Sequence, residues 1–526
     1  MHFRMTCLAL TAFGIHATVM AGETSPARSG VQVIERDVAS LQADLHRGSL
    51  SSVELVQAYL QRITDVDRQG PALNAVIELN PEALSIAREL DAERAQGKLR
   101  GPLHGIPVLL KDNIDTADSM QTSAGSLALT GAPARHDAAV VERLRDAGMV
   151  ILGKTNLSEW ANFRGQRSTA GWSSRGGQTR NPYALDRTPC GSSSGSAVAV
   201  AASLVSVAVG TETDGSIVCP AAMNGVVGIK PTVGLVSRRG IVPISSSQDT
   251  AGAFGRSVRD AALLLQAMTG SDSGDPATSR TDTQRTDYEA ALSVDALRGA
   301  RIGVVRQLTG YHPGVDARFE AALQDLRAAG AVLVDDLSFP TRAEANTVEP
   351  LVFLHEFKSG LNTYLASRDG VPVRSLADLI DYNQRHAQRI MPWFGQEYLL
   401  QAEATAGMDA PDYLAARDRL RRLTREQGID ALLQAHRLDA LIAPTTGPAW
   451  KTDWLNGGNY LGGSAGMAAM AGYPNISLPM GQVHGLPVGL SIFGTAWTEA
   501  RLIGFAYAFE QRTKARKPPQ YAETLP

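Results

Sequence analysis

The sequence predicts an α/β protein built on a mixed β-sheet with helices over both faces. Two observations carry that prediction. Amphipathic helix-length stretches alternate with short apolar, β-branched runs along almost the whole chain. Between residues 301 and 337 the alternation forms a βαβ unit, with Arg301–Val305 and Val332–Leu337 as strands and Ala317–Ala329 as the joining helix. Bulk agrees: 526 residues, 44% of them hydrophobic, can bury a large core, and no internal repeat is visible.

Taken in order, Asp37–His46 and Val53–Asp67 read as amphipathic helices. The second is preceded by Ser51-Ser52-Val53-Glu54, the form of a capping box. Pro81–Gly97, rich in Ala, Glu and Arg, is a third helix. Pro107–Leu110 is a short apolar strand that ends on Lys111. A helix over Asp137–Ala147 and a strand over Met149–Gly153 follow. Trp160–Gly177 is irregular, aromatic and glycine-bearing, which makes Trp160, Phe163 and Trp172 candidate walls of a substrate pocket. Beyond it lie a Gly/Ser loop from Pro189, a helix of small residues over Ser196–Ser203, a strand over Val205–Val209 and a second turn, Gly210–Ser216. Gly225–Ile229 is a strand and Val258–Met268 a helix, and the polar Gly270–Asp287 is a surface connection before the βαβ unit. Ala343–Gln427 is helical, Ala440–Ala443 and Asn475–Leu478 are short strands, and Glu499–Arg512 is a closing helix.

The chemistry concentrates in the two turns. Glycine turns and helix N-termini present backbone N–H groups that favour negative charge. Each turn also brings a hydroxyl, Ser192 from the first and Ser216 from the second, 24 positions apart. Lys111 directly follows four residues of buried type, and burial disfavours the charged form of an amine. The plainer alternative is a lysine that snorkels to the surface or pairs with Asp112.

Several function classes are excluded. Net charge is −3 with acids and bases interspersed, so there is no footprint for nucleic acid or a membrane surface. There is no P-loop, dinucleotide fingerprint or zinc-spaced Cys/His set, so no cofactor and no metal are predicted. Residues 1–21 read as a secretory signal peptide, with a short basic start, an apolar stretch and Val19-Met20-Ala21 before the cut. Residues 22–36 are then a linker, and the mature protein is expected in the periplasm or outside the cell. No later stretch is apolar enough to span a bilayer. After cleavage Cys190 and Cys219 remain; a single bridge between them is conceivable, but two reduced cysteines packed beside the serines is the reading adopted here.

The stretch Pro189-Cys190-Gly191-Ser192-Ser193-Ser194-Gly195-Ser196 resembles the glycine- and serine-rich loop of the amidase signature family. Gly105-Ile106-Pro107-Val108-Leu109-Leu110-Lys111-Asp112-Asn113 looks like the family's lysine motif. Gly153-Lys154-Thr155-Asn156-Leu157-Ser158-Glu159, Gly228-Ile229-Lys230-Pro231-Thr232, Ala471-Gly472-Tyr473-Pro474 and Gly485-Leu486-Pro487-Val488-Gly489-Leu490 complete the set. Length alone would favour two domains. The resemblance implies instead one large domain over residues 37–513 with a tail over 514–526. It also implies roles: Lys111 as the base, Ser192 as the relay on a cis Gly191–Ser192 bond, and Ser216 as the acyl-forming nucleophile. The backbone N–H groups of Thr213, Asp214, Gly215 and Ser216 would form the oxyanion hole. The chain departs from the commoner Asp-Ile-Gly-Gly-Ser-Ile-Arg pattern, with Asp214 in place of a glycine and Val218 in place of the arginine. Within the family the likeness runs to the bacterial peptide amidases, through Trp160-Ala161-Asn162-Phe163-Arg164-Gly165 and Cys190–Gly195. That implies a monomer that converts C-terminal peptide amides to free acid and ammonia, with simpler acyl or aryl amides as the alternative substrates.

Three rivals are weaker. Gly191-Ser192-Ser193-Ser194-Gly195 also fits the G-x-S-x-G elbow of a Ser-His-Asp hydrolase, which would make Ser193 the nucleophile with His484 downstream. That elbow needs a strand before the serine, whereas Pro182 and Pro189 lead in. A non-catalytic peptide-binding protein would not need Lys111, Ser192 and Ser216 together. The amidase component of a transfer-RNA amidotransferase does not fit the N-terminal signal.

Overall fold

The computed structural model describes His2 and residues 31–525; apart from His2, the signal-peptide reading of 1–21 and the linker up to residue 30 lie outside the described residues. In chain order the strands are β1 (Val76–Leu79), β2 (Pro107–Lys111), β3 (Val150–Thr155), β4 (Trp172–Ser173), β5 (Gly177–Gln178), β6 (Val207–Glu212), β7 (Val227–Lys230), β8 (Thr250–Gly255), β9 (Arg301–Val305), β10 (Val332–Leu337), β11 (Ala440–Pro444), β12 (Asn475–Val483) and β13 (Leu486–Phe493). Strands β4 and β5 form a separate small hairpin; the other eleven described strands form one sheet in the order β1-β3-β2-β6-β8-β7-β12-β13-β11-β9-β10. Strands β3, β2 and β6 run parallel, as do β11, β9 and β10, while the pairs between β6 and β11 and the edge pair β1–β3 are antiparallel. The sheet is therefore mixed, as the helix–strand alternation predicts.

Every residue of β2, β3 and β6 is buried, so both faces of this part of the sheet are covered. That is why these strands read as continuous apolar runs without a polar face. The small-residue helix, Ser194–Ala201, packs against β2, β3 and β6 and is buried throughout. A Cβ at Gly195 would lie 2.2 Å from the Ala75 carbonyl oxygen, so only glycine lets the helix start this close to the strands.

Three strands of the large sheet escape the sequence reading, as does the small β4–β5 hairpin in the segment read as irregular. Strand β8, Thr250-Ala251-Gly252-Ala253-Phe254-Gly255, has small residues and no β-branched run; its identity comes from pairing with β6 along all six positions. The edge strand β1 is four residues long. Strand β13 coincides with the Leu486–Leu490 motif and forms a hairpin with β12 through the left-handed residues His484 and Gly485. The capping box is present at Ser51 and Glu54, although regular α-helix ends at Arg62 and a wider turn continues to Arg68. The helical expectation for 343–427 resolves into several helices, the longest Arg342–Ser367. The expected tail folds back: Tyr521 N–H donates to the Pro182 carbonyl at 2.9 Å and Leu185 N–H to Ala522 at 2.8 Å. Among the described residues no helix is long and apolar enough to cross a membrane, and no cluster of His, Cys, Asp or Glu is arranged to hold a metal.

Candidate active site

Lys111 ends β2 and is fully buried. Its Nζ lies 2.7 Å from Ser192 Oγ, 2.8 Å from Thr211 Oγ1, 3.0 Å from Ser193 Oγ and 3.1 Å from the Thr211 carbonyl oxygen. All four partners are uncharged. Burial pushes the amine down to about 7, against the more distant negative charges of Asp249 and Glu212, which pull it back up. The protons around Nζ can be assigned. The Thr211 carbonyl can only accept, so Nζ donates to it. Ser193 Oγ donates to that same carbonyl at 2.9 Å and accepts from Thr211 N–H at 3.2 Å, so its own proton is already engaged. Thr211 Oγ1 accepts from Asn113 Nδ2 at 3.0 Å. Among the described residues Ser192 Oγ has no such rival partner, and its hydroxyl proton can turn to the lone pair of a neutral Nζ.

The two serine-bearing turns meet as their spacing suggests. Ser193 N–H donates to the Ser216 carbonyl at 3.1 Å, and the Ser192 carbonyl accepts from Ser158 N–H at 3.1 Å. The Gly191–Ser192 peptide is cis. Among the described residues no hydrogen bond joins the Ser192 and Ser216 hydroxyls directly. Gly215 takes a left-handed φ of 78°, which turns the chain into the helix Val218–Met223. Glu212 Oε2 accepts from Ile217 N–H at 2.6 Å and Val218 N–H at 2.9 Å, anchoring the start of that helix. The N–H groups of Thr213, Asp214, Gly215 and Ser216 make no hydrogen bond to the described residues, so four donors remain at the turn. Thr213 is held from below, its Oγ1 donating to Asp249 Oδ1 at 2.6 Å.

Ser216 opens onto a cavity of about 340 Å³ shared with Gly191, Thr213 and Asp214. Phe163, stacked on Tyr398 with ring centroids 5.2 Å apart, forms an apolar wall with Phe353 and Leu354. Asp214 and Glu349 line the same cavity, Glu349 one turn before Phe353 on the helix Arg342–Ser367. Burial, Glu349 and Glu212 hold the Asp214 carboxyl well above the usual carboxylate range; burial raises Glu349 to about 7.

The family model described as Amidase matches residues 54–503. The chain belongs to the amidase signature family. This amidase is 58% identical to the native peptide amidase of Stenotrophomonas maltophilia, whose solved structure it matches with a TM-score of 0.89 over 93% of this chain and 99% of that one. The structure of peptide amidase with the competitive inhibitor chymostatin matches with a TM-score of 0.90 at 58% identity, over the same shares of the two chains. A probable amidase of Arabidopsis thaliana is 41% identical over 508 residues, 94% of this chain and 93% of the relative. A glutamyl-tRNA(Gln) amidotransferase component of Symbiobacterium thermophilum is 37% identical over 480 residues, 89% of this chain and 94% of the relative. The reaction class is therefore hydrolysis of amides.

Set against the sequence expectations, this amidase brings Lys111 onto Ser192 and Ser216 onto the same loop junction. Of the three aromatic candidates, Phe163 alone lines the cavity. Trp160 is buried in a core cluster with Phe357 and Leu361. Trp172 lines a separate groove, and the Arg164 guanidinium, paired with Glu159 at 2.8 Å, sits 4.1 Å from the Phe394 ring and 5.2 Å from that of Trp172. The reduced-cysteine reading is also corrected: Cys190 and Cys219 form a disulfide, with an S–S distance of 2.00 Å, that ties the two turns together. Ser193, the elbow candidate, is fully buried and bonded to Thr211, away from the cavity. Thr211, Asn113, Asp249 and Glu349 were not singled out. Asn113 belongs to the lysine motif and Thr211 to the second turn, so both had a sequence signal; Glu349 had none.

Proposed function

We propose that this chain is an exported, monomeric serine amidase that converts C-terminal peptide amides to free acid and ammonia. The observation that carries the mechanism is the 2.7 Å contact between a buried Lys111 amine and Ser192 Oγ, at the junction with the turn bearing Ser216. Ser216 Oγ attacks the amide carbonyl while its proton passes to Ser192, whose own proton moves to neutral Lys111 Nζ. The oxyanion is met by N–H groups of the Thr213–Ser216 turn. Collapse breaks the C–N bond; the proton returns from Lys111 through Ser192 to the departing nitrogen, and ammonia leaves. Water then enters by the same proton route, hydrolyses the Ser216 ester and frees the acid. Ser216 must approach Ser192 on substrate binding, a tightening common in catalytic contacts that are loose before substrate arrives.

The substrate class is supported by the 58% identity to peptide amidase and by a cavity of about 340 Å³ beside an aromatic wall. Export is supported by the Cys190–Cys219 disulfide, a bond that persists in oxidising compartments. That same aromatic wall (Phe163, Phe353 and Tyr398) favours aryl amides as the second reading. Ammonia release from a C-terminally amidated dipeptide, compared with an aryl amide, free glutamine and the corresponding free-acid peptide, separates the readings. The peptide amide is expected to give the highest kcat/KM; a preference for glutamine or the aryl amide would contradict the assignment.

A further inference from the structure

The catalytic cavity is chemically lopsided. Phe163, Phe353, Leu354 and Tyr398 give it an apolar lining, and Asp214 and Glu349 stand among them, Glu349 one turn before Phe353 on the same helix. Asp214 lies two positions before Ser216, in a recess that solvent reaches, and makes no hydrogen bond or ion pair among the described residues. Glu349, on the helix Arg342–Ser367, receives one hydrogen bond, from Gln248 Nε2 at 3.0 Å. The same nitrogen reaches the Thr213 carbonyl at 3.3 Å. With both contacts fixed on acceptors, the Gln248 amide orientation is set, and its buried Oε1 is left without a donor. Two cations lie near, Lys230 and Arg342, and neither forms an ion pair with Asp214 or Glu349 among the described residues; Arg342 acts on Asp214 through its field. Lys230 acts on Asp214 only through its field, because its Nζ donates to the carbonyls of Pro231 at 3.1 Å and Tyr473 at 2.7 Å. Glu212 adds negative charge behind the turn, its Oε2 engaged by Ile217 and Val218 and its Oε1 unpartnered. Beside the nucleophile the cavity thus holds two acidic side chains with no ion-pair partner among the described residues.

An unpaired carboxylate in a recess takes its partner from whatever binds there, and it repels a second negative charge. We propose that Asp214 and Glu349 act as a charge filter, admitting amides that bear N–H donors or a positive charge near the scissile group and rejecting anionic ones. This rests on the amidase reading of the same site and names its substrate class more closely. It also gives the reaction a direction. The amide that enters is neutral at the reacting carbon, whereas the acid that forms carries a new charge beside this acidic pair, of which Glu349 is ionised above about 7, where Lys111 is also neutral. The pair therefore favours departure of the product and excludes free-acid peptides as competitors.

The test uses the full chain and three forms of one substrate, glycyl-phenylalanine amide with a free amine, an acetylated amine or a succinylated amine. In the wild type, assayed above about pH 8 where Glu349 is ionised, kcat/KM should fall in that order, by about tenfold or more from first to last and mainly through KM. Glu349→Gln should compress that ratio at least about threefold and strengthen inhibition by the free-acid product. Glu349→Asp, which keeps the charge, should preserve the order. Equal kcat/KM for the three amides in the wild type overturns the filter without any variant. So does a Glu349→Gln enzyme that hydrolyses the acetylated amide with an unchanged ratio. Failure of the wild type to release ammonia from all three overturns the amidase reading instead, which distinguishes the two failures.

Discussion

Lys111 shows how a single side chain acquires its chemistry from where the sheet puts it. An amine surrounded by three hydroxyls and a carbonyl gains hydrogen bonds but no adjacent counter-charge, so burial dominates and the neutral form becomes accessible near neutrality. The sign follows for activity. The base must be unprotonated, so kcat/KM for a neutral amide should be level above about pH 8 and fall towards tenfold per unit below about pH 7, the value to which Lys111 is pushed. A pH profile on an N-acetylated peptide amide checks this. The same shift acts on folding. The unfolded chain binds a proton at this lysine between about 7 and 10.5 that the folded chain does not, so this group's unfavourable contribution is fully present below 7 and fades as pH rises through that window. Thr211 is the companion. Thr211→Val keeps the shape but removes Oγ1, which lies 2.8 Å from Nζ and accepts from Asn113 at 3.0 Å. It should lower kcat by roughly 10- to 100-fold with KM little changed, as steady-state kinetics would show, because losing one oriented hydrogen bond is worth about 1–3 kcal/mol. Lys111, Ser192 and Ser216 were legible from motif spacing. Thr211 carries no role in the sequence reading and Ser193 enters it only as the elbow nucleophile, because their place around Nζ depends on register: β2 pairs with β6 so that Leu110 faces Val209, which brings Lys111 beside the residues that follow.

At the scale of elements, legibility followed side-chain shape. Arg301–Val305, Val332–Leu337 and Val258–Met268 emerge with the bounds their periodicity suggests. Strand β8 does not, since Gly252 and Gly255 supply close approach rather than propensity; a Cβ at Gly252 would sit 2.2 Å from the Ile229 carbonyl oxygen. The disulfide escaped for a related reason. Cys190 and Cys219 stand 29 positions apart, and only the helix Ser194–Ala201 and strand β6 between them, folding back on each other, bring their Cα atoms to 6.0 Å. The bond joins the loop before Ser192 to the helix after Ser216, so it fixes the separation of the two serines. Closing a loop of 29 residues in the unfolded chain should make its loss cost roughly 3–4 kcal/mol. Cys219→Ser is therefore expected to lower the denaturation midpoint. A reducing agent should weaken the wild type and leave the variant unchanged, as denaturant titrations with and without reductant would show.

At the scale of the whole molecule, one mixed sheet from β1 to β13 replaces the two domains that length alone favours, as the family resemblance implied. The third and fourth strands of that sheet carry the proposed reacting groups, Lys111 at the end of β2 and Ser216 just beyond β6. The helix Arg342–Ser367, with no motif of its own, supplies Glu349, Phe353 and Leu354 to the cavity. The residues proposed for the chemistry thus lie on short fixed motifs, whereas of the substrate-facing wall only Phe163 was legible, because that wall is assembled from segments far apart in sequence. Both meet at Ser216. The most direct measurement is ammonia release from a C-terminally amidated dipeptide by the purified full chain beside its Ser216→Ala variant, with thermal unfolding recorded for each. Steady release by the wild type, on the order of 10⁴-fold or more above a variant that unfolds at the same temperature, is the predicted result. Turnover that survives in Ser216→Ala, or its absence from both, would contradict the account.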